Sequence, residues 1–143
     1  MTAPPRDDSS GASAREQLNS FLSHLRLPPA TLSEGVARLE FVVEEVHLRH
    51  GGIIHGGVYA TVLDTVAGYA AYSIAPEGAE VVTMQLNMNM TAPARPGDRI
   101  IATARAIHSG RRTAVVQGEL RREDGKLLTV GSATMFFVSG GIS

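Results

Sequence analysis

The sequence predicts an α+β domain in which an antiparallel sheet wraps around one long buried helix. Three observations predict it. The stretch 55–75, HGGVYATVLDTVAGYAAYSIA, is apolar on nearly every side and stops before Pro76. One segment before it alternates with a period of two, and four more strand-like segments follow it. The chain has 143 residues, 43% hydrophobic and 19% charged, which is enough for one core and too little for two of ordinary size.

Residues 1–13, MTAPPRDDSSGAS, are rich in Pro, Ser and Asp and read as a flexible tail with no apolar run of the signal-peptide kind. A single domain then fills 14–143. Ser13 suits a helix N-cap, with Glu16 in capping-box spacing. Leu18, Phe21, Leu22 and Leu25 recur at helical intervals, and Pro28-Pro29 ends that short helix. Over 36–47 the period is two. Ala37, Leu39, Phe41 and Val43 fall on one face; Arg38, Glu40 and Glu44 fall on the other.

The stretch 55–75 is long enough to cross a bilayer, since about 20 residues suffice. Asp64 argues against that reading, because an ionised group at mid-helix costs roughly 2.5–3.5 kcal/mol on insertion scales. The flanks also lack a basic cluster and an aromatic belt. The stretch is therefore expected to be the central helix, fully buried by sheet. In 82–90, Met84, Leu86, Met88 and Met90 alternate with Thr83, Gln85, Asn87 and Asn89. Pro96-Gly97-Asp98 makes a turn, 99–108 a strand and Ser109-Gly110 a tight connection. In 113–122, Ala114, Val116, Gly118 and Leu120 alternate. Asp124-Gly125 signals a two-residue hairpin into 126–138, so the four last strands are expected to run as a meander.

Thirteen Lys+Arg against fourteen Asp+Glu leave a net charge of -1, which argues against a nucleic-acid partner. The absence of cysteine removes disulfides, thiolate zinc sites and a Cys nucleophile together. His24, His47, His50, His55 and His108 are scattered in no HxH or HExxH pattern, so no metal site is expected. A soluble cytoplasmic protein with no membrane partner is the expectation.

Two features carry chemistry. His55-Gly56-Gly57 opens the long helix, where the first N–H groups lack intrahelical partners and carry the positive end of the dipole. Glycines there let another molecule approach the backbone, which suits an anion or a developing oxyanion. Close packing alone would also explain such glycines. Asp64 is the sharper clue: a carboxylate among Val, Ala, Leu and Tyr is costly to bury without a partner, and burial raises its pKa and makes it a better base. The plainer alternative is a structural role, capping a backbone group or pairing with an Arg. His55 and Asp64 are separated by about 900° around a helix and roughly 13 Å along it. One chain cannot bring both to one small group. Cooperation would need the HGG of one subunit and Asp64 of another, at a two-fold interface that forms two sites.

With the HGG…D spacing on the long helix of a helix-wrapped sheet, residues 34–138 resemble hotdog-fold acyl-CoA thioesterases of the phenylacetate-degradation (PaaI-like) type. The segments Met90 to Asp98 and Gly110-Arg111-Arg112-Thr113 belong to the resemblance. It implies a homodimer or homotetramer that hydrolyses acyl-CoA, with a site shared between chains and no cofactor, CoA being part of the substrate. It further implies that the Gly56 N–H, next to His55, polarises the thioester carbonyl. Asp64 of the partner subunit acts as nucleophile or as base for water, and Thr83 helps to place that water. Gly57 lies beside the substrate, and Gly110, Arg111 and Arg112 lie near the CoA nucleotide, although a solvated turn explains the arginines equally well. Family members usually carry Asn or Gln six residues before the His. This chain has Arg49, followed by His50: either these take over the role in altered form, or the loop is shifted, or the protein binds acyl-CoA without turning it over well. Arg49 near Asp64 would lower the carboxylate pKa and blunt it as a base. The alternative function is a non-catalytic acyl-CoA binding or sensing module. Arylacetyl and other short-to-medium acyl groups are the substrates that the family suggests. The tyrosines Tyr59, Tyr69 and Tyr72 lie on the helix and none reads as a ligand, and Met84, Met88 and Met90 read as core or interface filler.

Overall fold

The computed structural model describes residues 20–139. The predicted tail, the Ser13 cap with Glu16, and Leu18 lie outside them. A short helix α1 (Ser20–His24) comes first. It ends before the prolines, in a reciprocal pair of hydrogen bonds: Leu27 N–H donates to Leu22 O at 3.1 Å and Arg26 N–H to Ser23 O at 3.0 Å. Arg26 takes a φ of 52°, the left-handed residue that this helix stop requires. Pro28-Pro29 therefore follow the stop and do not cause it.

Strands β1 (Thr31–Ser33) and β2 (Val36–Val42) form a hairpin across Glu34 and Gly35, both at positive φ. Nothing in the periodicity pointed to β1, which is too short to show alternation. On β2 and just beyond it, Ala37, Leu39, Phe41 and Val43 are all buried, as the alternation predicts. The strand stops at Val42, however, and not at 47. A 3₁₀ turn over Glu45–His47 replaces its expected end, because Glu44 and His47 cap each other there.

The long helix α2 (Gly56–Tyr72) lies against strands β2 to β6. Val58, Tyr59, Val62, Leu63, Val66, Ala67, Ala70 and Ala71 form its buried stripe. The expectation of burial on all sides is corrected: Thr61, Asp64, Thr65, Gly68, Tyr69 and Tyr72 face an open groove in the single chain. One sheet face can cover only one stripe of a helix. No helix among the described residues is long and apolar enough to cross a membrane.

The sheet continues with β3 (Glu80–Met90), β4 (Arg99–Ser109), β5 (Thr113–Arg122) and β6 (Leu127–Val138). It is antiparallel with spatial order β1-β2-β4-β5-β6-β3. The predicted meander holds for β4-β5-β6 only. Strand β3 lies beside β6 at the far edge, and the segment 91–98 crosses the end of the sheet to start β4 next to β2. Hydrogen bonds hold that crossing at each step. Thr91 N–H donates to Leu128 O, Ile54 N–H to Ala94 O, and Gly97 N–H to Val43 O. The turn at Pro96-Gly97 forms as expected, with Gly97 at φ 90° and Asp98 N–H on Arg95 O at 3.0 Å. Between β5 and β6 the loop has three residues, not two. Arg122 and Lys126 close it, and Gly125 at φ 91° supplies the left-handed residue after the turn.

Leu63 of the helix packs over two glycines that face each other, Gly118 on β5 and Gly131 on β6. A Cβ at Gly118 would stand 2.7 Å from Leu63 Cδ1. One at Gly131 would run into the backbone oxygen of Asn87 on β3 and stand 3.0 Å from Leu63 Cδ2. Backbone cannot swing aside as a side chain can. Gly131→Ala is therefore expected to lower stability by about 1–3 kcal/mol, the usual cost of overpacking, read as a lower urea midpoint. An unchanged midpoint would mean that β3 is not held this closely to β6.

Candidate active site

Sequence and local geometry set up the N-terminus of α2. His55 stands outside the helix at φ -72° and ψ 132° and is its N-cap. Its ring nitrogen Nδ1 accepts the Gly57 N–H at 2.8 Å, which leaves the proton of a neutral ring on Nε2, pointing outward. Val58 N–H donates to His55 O at 2.9 Å. No described group takes the Gly56 N–H, so it is the donor that this helix end still offers. The glycines have separate reasons. A Cβ at Gly57 would stand 2.9 Å from His55 Nδ1 and dislodge the cap. A Cβ at Gly56 would meet only the flexible end of Met90, with Sδ at 2.9 Å.

Gly56 opens onto a hollow of about 260 Å³, with Ile53, Ile54, Tyr59, Met90 and Ala92 around it. Buried Tyr59 braces the floor by donating its hydroxyl to Ala92 O at 3.0 Å. Burial, and then the charge of Asp98, push its pKa up to about 12, so it stays a donor at neutral pH.

Asp64 faces a different and larger hollow of about 650 Å³ between α2, β3 and α1. The carboxylate is half-buried, not enclosed. Thr83 donates its hydroxyl to Asp64 Oδ1 at 2.7 Å, across from β3 to α2. No ion pair among the described residues includes Asp64, which leaves the structural-pair alternative without support. Thr83 reaches the helix because of a bulge. Thr83 pairs with Met135 and Gln85 with Thr134, leaving Met84 as the extra residue, 65% exposed. Thr83 and Leu86 consequently line the same groove, whereas unbroken alternation sets them on opposite faces. Phe21, Leu22, Tyr69 and Tyr72 also line it. Periodicity marks these as helical but not as groove residues, although Gly68 and Tyr72 stand four and eight positions after Asp64 on one helical face.

Within one chain, then, Gly56 and Asp64 stand in separate hollows, as the helical spacing requires. Arg49 and His50 are exposed on a turn, where Arg49 N–H donates to Ile53 O at 2.8 Å, and neither lines either hollow. Gly110, Arg111 and Arg112 form the exposed β4–β5 turn. None of the ion pairs among the described residues takes up Arg49, Arg111 or Arg112.

Comparison with known proteins gives three consistent results. Residues 51–129 match the model of the Thioesterase superfamily. Acyl-coenzyme A thioesterase 13 of Mus musculus is 32% identical over 96 residues, 66% of this chain and 68% of that protein. Among solved structures, a thioesterase of Haemophilus influenzae is 27% identical with a TM-score of 0.79, covering 97% of this chain and 93% of that one. The E. coli PaaI protein from the phenylacetic acid degradation operon has a TM-score of 0.81 at 24% identity, covering 94% and 95% of the two chains, and shares the fold.

Proposed function

The chain belongs to the thioesterase superfamily, and from that premise we propose that it hydrolyses acyl-CoA thioesters to a free carboxylic acid and CoA, at sites shared between two copies. One observation carries the reading. A single helix presents an unpaired Gly56 N–H in one hollow and a Thr83-bonded Asp64 carboxylate in another. The mouse relative, named for acyl-CoA thioesterase activity, supports the substrate class.

Asp64 draws a proton from water as the water oxygen bonds to the thioester carbon. The carbonyl oxygen gains negative charge and is met by Gly56 N–H, a fixed dipole at a helix N-terminus. The intermediate then collapses, the C–S bond breaks, and CoA leaves with its sulfur protonated by the Asp64 carboxyl. Thr83 holds the carboxylate in place throughout. The acyl group occupies the groove beside Asp64, whose walls are Leu22, Phe21, Tyr69, Tyr72 and Leu86. Water is the second substrate, and the scheme uses no metal or cofactor. The exposed arginines Arg111 and Arg112 are proposed to meet the CoA phosphates.

Two features support a shared site: the separate hollows and the free edge of β3, which among the described residues pairs only with β6 and exposes Met84 and Met90. An unpaired edge of this length is a template for a second copy. A homodimer, or a tetramer built from two, is the expected assembly.

The test is CoA release from a panel of aryl- and alkyl-CoA thioesters, followed with a thiol reagent; the protein contributes no thiol background because it has no cysteine. Thr83→Val is expected to reduce kcat by about tenfold or more with Thr83→Ser close to wild type, since a hydrogen bond to a charged carboxylate contributes about 1.5–3 kcal/mol. Tight binding of a thioester with no release of CoA would replace the enzyme by the acyl-CoA-binding module.

A further inference from the structure

The buried imidazole of His47 is not used by the scheme above, yet it joins both parts of it. The residue is 0% exposed, and the ring meets Phe41 edge-on at 5.2 Å between centroids. Nδ1 accepts the Glu44 N–H at 2.9 Å, so a neutral ring carries its proton on Nε2 and donates it to Leu25 O at 2.6 Å. Leu25 directly follows α1, and its own N–H donates to Phe21 O. Phe21 and Leu22 are the α1 wall of the groove that holds Asp64. The His47 main chain reaches the other way: its carbonyl accepts the His55 N–H at 2.8 Å, directly before Gly56.

We infer that His47 is a positioning residue that latches the α1 wall of the Asp64 groove to the turn carrying Gly56, and thereby selects acyl groups long enough to touch that wall. The selectivity rests on the acyl-CoA reading; the latch itself rests on geometry alone. Among the described residues little else holds this wall. Helix α1 has one turn and fully buries none of its own residues, and Leu22 and Leu25 pack only partly buried against the core. Only Leu27 beyond it is buried, and the Arg26–Glu44 pair at 3.5 Å is solvent-exposed and weak.

Two variants separate the two ring bonds. His47→Asn keeps an acceptor for Glu44 N–H but is too short to reach Leu25; His47→Gln keeps a donor at the reach of Nε2. Amide hydrogen exchange at residues 25–27 is the activity-independent readout. Exchange is expected to speed up by about tenfold in His47→Asn, as loss of one buried hydrogen bond implies, and to stay near wild type in His47→Gln. The kinetic readout is the ratio of kcat/KM for octanoyl-CoA to that for acetyl-CoA. It is expected to fall by about tenfold in His47→Asn while acetyl-CoA turnover holds.

Unchanged exchange in a folded His47→Asn would overturn the latch, and an equal loss on both substrates would overturn the selectivity role. Faster exchange with no thioester hydrolysis even in wild type would support the latch and remove the enzymatic reading. If His47→Asn does not fold, His47→Gln decides. Wild-type protection and ratio support the inference, and lost protection at 25–27 overturns it.

Discussion

Asp64→Asn is expected to lower kcat for acyl-CoA hydrolysis by about a hundred- to ten-thousand-fold, the usual contribution of a positioned general base. Asparagine has the shape of the carboxylate, and its Oδ1 still accepts the Thr83 hydroxyl that Asp64 Oδ1 accepts at 2.7 Å. Fold and assembly are therefore expected to persist, because the residue is half-buried and has no ion partner among the described residues to strand. Steady-state CoA release, with calorimetric binding of the same thioester, reads both properties. Binding retained with turnover lost supports the assigned role. Turnover within tenfold of wild type would remove Asp64 from the chemistry and return it to a structural part.

The second large effect is expected at Gly56, through its backbone. Gly56→Pro deletes the N–H that the helix end leaves unpaired among the described residues, at the first helical position, where proline is well accommodated. His55 already has the extended backbone that a following proline demands. Gly56→Ala is the control, since it brings a Cβ against the same Met90 sulfur but keeps the N–H. Loss of one oxyanion donor costs about 100- to 1000-fold in kcat. The proline variant is expected to show that loss and the alanine variant only a small one. Equal activity of the two would mean that the charge on the carbonyl oxygen is stabilised elsewhere.

The two predictions differ in how visible their grounds were in the sequence. Asp64 stood out because a carboxylate amid Val, Ala and Leu is costly, and helical arithmetic alone separated it from His55. The assignment of Gly56, not Gly57, as the free donor became physical only with the cap geometry, since His55 Nδ1 occupies the Gly57 N–H. Thr83 came from resemblance. Strict alternation would have turned it away from the groove residue Leu86, and the Met84 bulge is what brings both to one side. Phe21, Leu22, Tyr69 and Tyr72 were legible as helical residues but not as a groove wall. Their shared environment depends on where α1 docks, which is a contact between distant segments.

Local pattern determined what the longer segments are. Period two in 36–42 and period 3.6 in α2 record which side chains must leave water, and that requirement acts on neighbours along the chain. The turn at Pro96-Gly97 and the odd carboxylate in an apolar helix are likewise local. Tertiary structure alone decided which edges meet. The order of strands placed β3 beside β6, because the 91–98 segment finds its hydrogen-bond partners on Leu128, Ile54 and Val43. The same distant contacts left one face of α2 open and hung α1 on a buried histidine. Such choices are set by backbone groups that must find partners across the fold, and backbone groups are alike in every residue but proline.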